Sequence, residues 1–362
     1  MKSSKIYIGL GVLFILFSYT VALDLNSVPQ SEWIQMFNKR DLNDWVPKVK
    51  GYEAGVNHQN TWTVKDSNLV TDYEDYTGSF GGRFGHIAWE VRPFSYYLLR
   101  VEYQFFGTQY TGGPGYGKAN SGIMYHSQSA TSMELEQKFP NSMETQLLGE
   151  GNQFNAGTAT LCTVNKRTVV IKGKRKGNCN GGAIKKDLTG LTWVKVEVLV
   201  MADSLVKHIV EGDTVMEYSW LQHPNGDSMT QGYIMLQTES APIKFKTVEI
   251  LNLEGCMDST AKNYKNYYVK NQPDSCKFST PISSKGALPS SLTFSQSPSG
   301  LTLTNSGKEN YEVMVNNIKG KRVTSLSVKA GETTHVKLPR LGMYILNAKS
   351  SEKSYQKLWV KN

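Results

Sequence analysis

The chain has 362 residues, 39% hydrophobic and 20% charged, a composition that is typical of a globular protein and excludes a disordered one. The length suits one large domain with a smaller one, and abundant Tyr, Thr, Val and Gly without a long helix-period stripe favour an all-β fold. The formal net charge of +9 does not indicate nucleic-acid binding, because the dense basic cluster Lys172–Lys176 has no stacking aromatic residues.

The N-terminus has the form of a secretory signal. Lys2 and Lys5 precede the apolar run Ile6–Tyr19, which is too short for a spanning helix, and Thr20–Ala22 is a small-residue cleavage site. We therefore expect a signal peptide over residues 1–22 and a protein that is secreted or attached to the cell surface. An uncleaved membrane anchor is the alternative.

The central stretch contains three alternating segments: Leu98–Phe105, Asn120–His126 and Ser142–Leu148. Alternation with period two is typical of strands that bury one face. If these strands lie in one sheet, their polar side chains line one surface that suits a hydroxyl-rich ligand. This surface consists of Glu102, Gln104, Asn120, His126, Glu144 and Gln146.

Further short strands follow at regular spacing as far as Leu253. Their apolar alternation and the turn residues between them predict two stacked β-sheets. These segments are Arg167–Lys172, Trp193–Val200, Leu205–Val210, Thr214–Trp220, Gly232–Gln237 and Ile243–Ile250.

The four cysteines indicate two disulfides in an exported chain. Three pairings are open, and the clustering along the chain favours Cys162–Cys179 and Cys256–Cys276. A zinc site would require closer Cys-x-x-Cys spacing.

The last third of the chain changes in composition. Residues 254–277 form a Cys-flanked segment, and residues 278–299 are rich in Ser and Pro, which is linker composition. Short alternating strands over 300–362 predict a small β-sandwich.

Residues 23–253 carry a series of motifs that resembles the 3-keto-disaccharide hydrolase family. Lys39, Glu211 and the pair Lys246–Thr247 depart from the family pattern. The resemblance implies a jelly-roll sandwich of the concanavalin and laminarinase type. The matching motifs, in chain order, are Phe37–Trp45, Thr61–Leu69, Leu98–Phe105, Asn120–His126, Met143–Gln146, His208–Tyr218 and Gly232–Glu239.

The tail has a resemblance of its own. Tyr311–Val315, Gly320–Val323, Leu338–Leu346 and Lys357–Lys361 resemble a type IX secretion sorting domain. This resemblance implies export through that secretion machinery. An ordinary carbohydrate-binding-like sandwich is the alternative.

The family resemblance also implies action on 3-keto-glycosides, whose keto group acidifies the proton on carbon 2. Elimination of the glycosidic oxygen and hydration of the enone then require a base, an electrophile and a proton donor. Glu144 and His126 are the candidate acid and base, and a divalent metal bound by the same two residues is a candidate electrophile. The candidate substrate-binding residues are Glu102, Gln104, Asn120, Gln146 and Glu239.

Plainer interpretations stand beside these. A non-catalytic glycan-binding module would use the same scaffold, because a fold does not determine a function. Glu134 and Glu136 do not reproduce the laminarinase spacing and are interpreted as loop charges. Loop aromatics such as Tyr73, Tyr76, Phe80, Tyr110 and Tyr116 either stack on sugars or close a core, and His86, His208 and His223 are expected to hydrogen-bond neighbours.

Overall fold

The computed structural model describes residues 25–154, 157–181, 193–278, 289–297, 300–338, 342–351 and 354–361. The expected signal peptide and most of the expected linker lie outside these residues. Among the described residues, no helix is long and apolar enough to cross a membrane. The chain divides into two compact units, one of residues 1–254 with 267–270 and one of residues 255–266 with 271–362.

The first unit is built almost wholly of strands, with a few single-turn 3₁₀-helices between them. The strands are β1 (Ile34–Gln35), β2 (Trp45–Val49), β3 (Thr63–Lys65), β4 (Asn68–Thr71), β5 (Gly85–Phe94), β6 (Tyr96–Phe105), β7 (Asn120–Ser127), β8 (Met143–Leu148), β9 (Thr160–Thr163), β10 (Thr168–Ile171), β11 (Lys174–Lys176), β12 (Asn178–Asn180), β13 (Val194–Met201), β14 (Leu205–Val210), β15 (Asp213–Gln222), β16 (Gly232–Thr238) and β17 (Ile243–Asn252). The 3₁₀-helices of this unit are Leu25–Ser27, Gln30–Glu32, His58–Asn60, Gly115–Gly117 and Ala130–Ser132.

These strands form two antiparallel sheets. The ten-stranded sheet has the order β11-β10-β15-β14-β13-β6-β17-β4-β3, with β1 paired to β17. The seven-stranded sheet has the order β12-β9-β8-β7-β16-β5-β2. The prediction of an all-β jelly-roll sandwich is therefore confirmed.

The main core lies between the two sheets. The valines of β13, among them Val196 and Val198, meet Ile234 and Leu236 of β16 in one buried cluster. Burying such apolar side chains contributes about 25 cal/mol for each Å² removed from water. Because neighbouring residues of a strand face opposite ways, every second residue of the seven-stranded sheet points away from this core.

One polar network crosses the core. The ring nitrogen Nδ1 of His208 donates to the carbonyl oxygen of Ala159 at 2.8 Å, so Nε2 accepts hydrogen bonds from the hydroxyls of Thr145 at 2.9 Å and Tyr218 at 2.7 Å. Burial lowers the pKa of His208 to about 4. The prediction that His208 hydrogen-bonds its neighbours is confirmed.

The remaining elements are β18 (Glu254–Gly255), β19 (Lys270–Asn271), the 3₁₀-helix Pro273–Ser275, β20 (Leu292–Ser297), β21 (Gly300–Asn305), β22 (Tyr311–Asn317), β23 (Arg322–Val328), β24 (Thr333–Lys337), β25 (Gly342–Lys349) and β26 (Ser354–Lys361). Two smaller sheets make up most of the second unit, with the orders β20-β21-β24 and β23-β22-β25-β26. Strand β20 lies within the segment that was predicted to be a linker, and its Leu292 is buried in the core of this unit.

Both favoured disulfides are present. Cys162 pairs with Cys179, and Cys256 pairs with Cys276. The first bond joins opposite residues of the neighbouring strands β9 and β12. The second closes the Cys-flanked segment.

Phe245 gives a test of the core. Its side chain is fully buried and lies 6.4 Å from Trp62 between ring centroids. We expect Phe245→Ala to lower the free energy of unfolding by about 3 to 5 kcal/mol, because it removes apolar contacts and leaves a cavity. Denaturant unfolding measures this change. Val91→Ala, at a side chain that is 55% exposed, is the control and should change stability by less than about 0.5 kcal/mol.

Candidate functional site

Four of the predicted site residues meet on the face of the seven-stranded sheet that points away from the core. Asn120 begins β7, Glu144 and Gln146 lie on β8, and Glu239 follows β16. Each of these side chains is at most 7% exposed. We call this group the carboxyl–amide cluster.

Hydrogen bonds order three members of the cluster. Gln146 donates from Nε2 to Oδ1 of Asn120 at 3.0 Å, and Asn120 donates from Nδ2 to Oε2 of Glu239 at 2.7 Å. The same Asn120 nitrogen donates to the carbonyl oxygen of Tyr116 at 2.8 Å. Asn120 is therefore held in one orientation from both sides, and it fixes the carboxyl of Glu239.

The position of Glu144 depends on a neighbouring glycine. A Cβ atom at Gly122 would lie 2.3 Å from Oε1 of Glu144, far inside van der Waals contact. The carboxyl of Glu144 therefore occupies the space that a side chain at residue 122 would fill. Gly122 lies opposite Gln146 in the pairing of β7 with β8.

Burial changes the protonation of both carboxyls. It raises the pKa of Glu144 well above its usual range, and the negative charge of Glu239 raises it further. Burial also raises the pKa of Glu239 to about 8, while the ammonium of Lys138 acts in the opposite direction. Near neutral pH this pair therefore holds protons that exposed carboxyls would have lost, which is the property of an acid–base site.

Aromatic side chains cover the cluster. Nζ of Lys138 lies 2.5 Å from the hydroxyl of Tyr116 and 4.0 Å from the ring centroid of Phe84. Phe139 packs against Phe84 at 5.5 Å between centroids. The two carboxyls of the cluster are 7% and 3% exposed. The five aromatics that were candidates for sugar stacking, Tyr73, Tyr76, Phe80, Tyr110 and Tyr116, pack with Phe84 and Phe139 in one cluster.

The structure does not bring Glu102 and Gln104 to this cluster. Both lie on β6 in the ten-stranded sheet, so the expected single polar surface is wrong at these two positions. Glu102 accepts a hydrogen bond from Thr247 at 2.6 Å and pairs with Lys246 at 3.0 Å. Together with Arg100 and seven other residues, it lines an open groove of about 750 Å³.

His126 is also separated from Glu144. The pairing of β7 with β16 shifts at this point, and His126 has a φ of 46°, so its side chain leaves the face that the alternation predicted. Nε2 lies 3.1 Å from the carbonyl oxygen of Ala202, and the ring packs against Tyr97 of β6. Burial lowers the pKa of His126 to about 4.

The expected metal pair does not fit this geometry. His126 faces residues of the ten-stranded sheet, whereas Glu144 faces away from that sheet. Over the described part of the chain, no group of three or more His, Cys, Asp and Glu side chains is arranged to hold a metal ion. We therefore route no chemical step through a metal bound by His126 and Glu144.

Sequence reasoning missed three buried polar residues on the same face as the cluster. His86 lies opposite Gln237 on one side and opposite Lys48 on the other. All three side chains are 1% exposed. The expectation that His86 hydrogen-bonds a neighbour is wrong, since neither of its ring nitrogens has a partner among the described residues. One signal in the sequence could have placed His86 on this face. Neighbouring residues of a strand face opposite ways, and the next residue, Ile87, faces the core.

Comparison with known families gives a direct match. Residues 32–251 match the model of the 3-keto-alpha-glucoside-1,2-lyase-like domain. This range contains both sheets and every member of the carboxyl–amide cluster. No curated protein matches the sequence.

Solved structures show more distant similarity. A provisionally named glycosyl hydrolase from Parabacteroides distasonis is 21% identical, with 63% of this chain and 99% of that chain covered and a TM-score of 0.40. A carbohydrate-binding module from Bacillus subtilis is 11% identical, with coverages of 53% and 91% and a TM-score of 0.34. A Bacillus subtilis protein of unknown function with a galectin-like fold is 9% identical, with coverages of 61% and 98% and a TM-score of 0.38. These TM-scores are below 0.5, and we take nothing about activity from them.

The buried carboxyl of Glu239 predicts a pH-dependent stability. The folded chain keeps this proton up to about pH 8, whereas an unfolded carboxyl loses it near pH 4.5, so its contribution to stability is lost as the pH rises through about 8. Glu239→Gln replaces the carboxyl with an amide, which does not titrate in this pH range. Its stability relative to the wild type should therefore rise by roughly 3 to 5 kcal/mol between pH 5 and pH 8.5.

Denaturant unfolding of both proteins at the two pH values measures this difference. Glu134→Gln, which changes an exposed carboxylate, is the control and should show no such trend. A difference between Glu239→Gln and wild type that stays constant with pH would contradict the raised pKa.

Proposed function

Because the chain belongs to the family of 3-keto-alpha-glucoside-1,2-lyase-like domains, we propose that it is a carbohydrate-active enzyme that cleaves 3-keto-glycosides. The reaction is an elimination followed by a hydration. The observation that carries the proposal is the buried pair Glu144 and Glu239: burial raises both pKa values, and the negative charge of Glu239 raises that of Glu144 further. Pairs of this kind divide the roles of acid and base.

Glu239 is the base of the elimination. Its pKa of about 8 leaves a usable fraction ionised near neutral pH and makes the carboxylate more basic than an exposed one. It removes the proton on carbon 2, and the electron pair passes into the enolate of the 3-keto group. Asn120 holds this carboxyl through the 2.7 Å hydrogen bond.

Glu144 is the proton donor. The negative charge of an ionised Glu239 raises the pKa of Glu144, so Glu144 keeps its proton when Glu239 ionises. As the enolate collapses, the bond from carbon 1 to the glycosidic oxygen breaks, and Glu144 gives its proton to that oxygen. An alcohol and an enone are the products.

The hydration reverses the two roles. Glu144, now ionised, takes a proton from water as the water oxygen adds to carbon 1 of the enone. Glu239 returns its proton to carbon 2. Both carboxyls regain their starting states, and the sum is glycoside plus water giving a free 3-keto-sugar and an alcohol.

The same proposal includes export of the protein. Disulfides form and persist in oxidising compartments, and the chain has two of them. This supports the expected signal peptide at residues 1–22 and a secreted or surface-attached protein. The resemblance of residues 300–362 to a sorting domain makes type IX secretion machinery the proposed partner.

The variant Glu144→Gln tests the acid. It keeps the shape of the side chain and removes the proton donor, so we expect release of alcohol from a 3-keto-glucoside to fall by about 10²-fold to 10⁴-fold. Affinity measured by calorimetry should stay close to that of the wild type. Glu134→Gln should retain full activity. The assay is repeated with added divalent metal and with chelator, and loss of release in chelator would support a metal requirement.

The same experiment separates the enzyme from a glycan-binding module. Binding without release by the wild type would overturn the enzyme and support the module. Release that Glu144→Gln leaves unchanged would remove Glu144 from the mechanism.

Gly122→Ala tests the placement of the carboxyl. The backbone at residue 122 accepts alanine, but the new methyl would displace Glu144 from its present position. We expect turnover to fall by about 10²-fold, because a displacement of about 1 Å can have that effect. Aglycone release and thermal unfolding are measured together. Full turnover in this variant would contradict the assigned position of Glu144.

A further inference from the structure

His86 is the buried polar side chain that the structure leaves most clearly without a partner. It is 1% exposed, and neither Nδ1 nor Nε2 has a hydrogen-bond partner among the described residues. Buried polar groups are nearly always hydrogen-bonded, because leaving a donor or acceptor unpaired destabilises the folded state. A buried imidazole whose two nitrogens both lack a hydrogen-bond partner therefore indicates a role other than packing.

Its neighbours do not supply one. Lys48 lies opposite His86 in the sheet, but its ammonium donates to the carbonyl oxygens of Tyr52 at 2.7 Å and Leu135 at 3.2 Å. Gln237 lies opposite on the other side, and its Oε1 is also without a partner among the described residues. Phe139 presents a ring at 6.3 Å between centroids.

The position of His86 points to the carboxyl–amide cluster. Gln237 is two residues before Glu239 on the same side of the chain, and Ser121, beside Gly122, donates to the carbonyl oxygen of Gln237 at 2.6 Å. The open polar atoms of His86 and Gln237 therefore lie on the same sheet face as the two carboxyls. The pairing of β16 with β5 places His86 beside Gln237, on the strand that leads directly into Glu239.

We propose that His86 is a substrate-contacting residue of this site, whose neutral imidazole donates a hydrogen bond to a carbonyl oxygen of the sugar. This assignment rests on the proposed function. It adds the hydrogen-bond donor that stabilises the negative charge developing on the keto oxygen. Gln237 completes the contact with a neighbouring hydroxyl.

The charge state of His86 supports this role. Burial and the nearby ammonium of Lys48 lower the pKa of His86 to about 3, so the ring stays neutral at physiological pH. A neutral imidazole that donates to a carbonyl does not give up its proton to the enolate. His86 can thus polarise the keto group while Glu239 and Glu144 move the protons.

The test compares His86→Phe with His86→Gln in the full chain. Phenylalanine fills the same space without hydrogen-bonding atoms, and glutamine restores one donor. We expect kcat/KM for a 3-keto-glucoside to fall about 10-fold or more in His86→Phe and to recover in part in His86→Gln. The thermal midpoint of His86→Phe should equal or exceed that of the wild type, because the unpaired nitrogens are gone.

His223→Gln is the control, because it changes a histidine that directly follows β15 of the ten-stranded sheet. It should keep the wild-type kcat/KM. If His86→Phe does not fold, His86→Gln alone decides, through a fall in kcat/KM that His223→Gln does not share. Wild-type kcat/KM in a folded His86 variant would overturn the assignment and leave His86 a packing residue.

Failure of the proposed function is recognised separately. If the wild type binds the 3-keto-glucoside but releases no alcohol, the proposed enzyme activity is overturned. Calorimetry then still tests His86, because His86→Phe should bind the 3-keto-glucoside about 10-fold more weakly than the wild type. Equal binding by the two proteins overturns His86 as a ligand contact. No binding by the wild type overturns both proposals.

Discussion

Gly122 leaves a gap on one face of the seven-stranded sheet, and the carboxyl of Glu144 fills it. This placement sets the carboxyl against the sheet, where Glu144 is 7% exposed. Glu239 lies on the same face and is held by Asn120. Two acids thus share a buried site. Burial raises both pKa values, and the negative charge of Glu239 raises that of Glu144 further.

Such a site weakens the fold that contains it. Buried carboxyls and the unpaired imidazole of His86 all favour the unfolded chain, where water would solvate them. The stabilising side lies between the sheets, where the valines of β13 face β16 and the network around His208 satisfies its own polar atoms. The two faces of the seven-stranded sheet therefore differ: one packs into the stabilising core, and the other carries the carboxyls of the proposed active site. This division is typical of enzymes, in which activity is gained at the expense of stability.

The ten-stranded sheet shows a second way of placing carboxyl groups, two of which, Glu197 and Glu249, are also buried. Arg100 bridges Glu197 and Glu249, each at 2.8 Å, and Lys246 pairs with Glu102 at 3.0 Å. Here each carboxylate meets a cation, and no orphaned nitrogen or carboxyl pair remains among these residues. The same alternation of polar and apolar residues thus produces an ion-paired group on one sheet and the carboxyl–amide cluster on the other. The difference lies in the partners: Arg100 and Lys246 pair with the carboxylates of the first group, whereas the amide of Asn120 donates to Glu239 in the second.

The sequence by itself predicted most of the strands, the sandwich, the favoured disulfide pairing and the common face of Asn120 and Glu144, because alternation and clustering along the chain are local properties. Only the tertiary structure decided the rest. Glu102 belongs to the other sheet because β6 pairs with β13 and β17, which are distant in sequence. His126 turns away because Gly232, on a distant strand, has no side chain at the point where the two backbones meet: a Cβ there would lie 2.3 Å from the His126 carbonyl carbon. Neither non-local pairing nor such a close approach has a signature in the neighbouring residues.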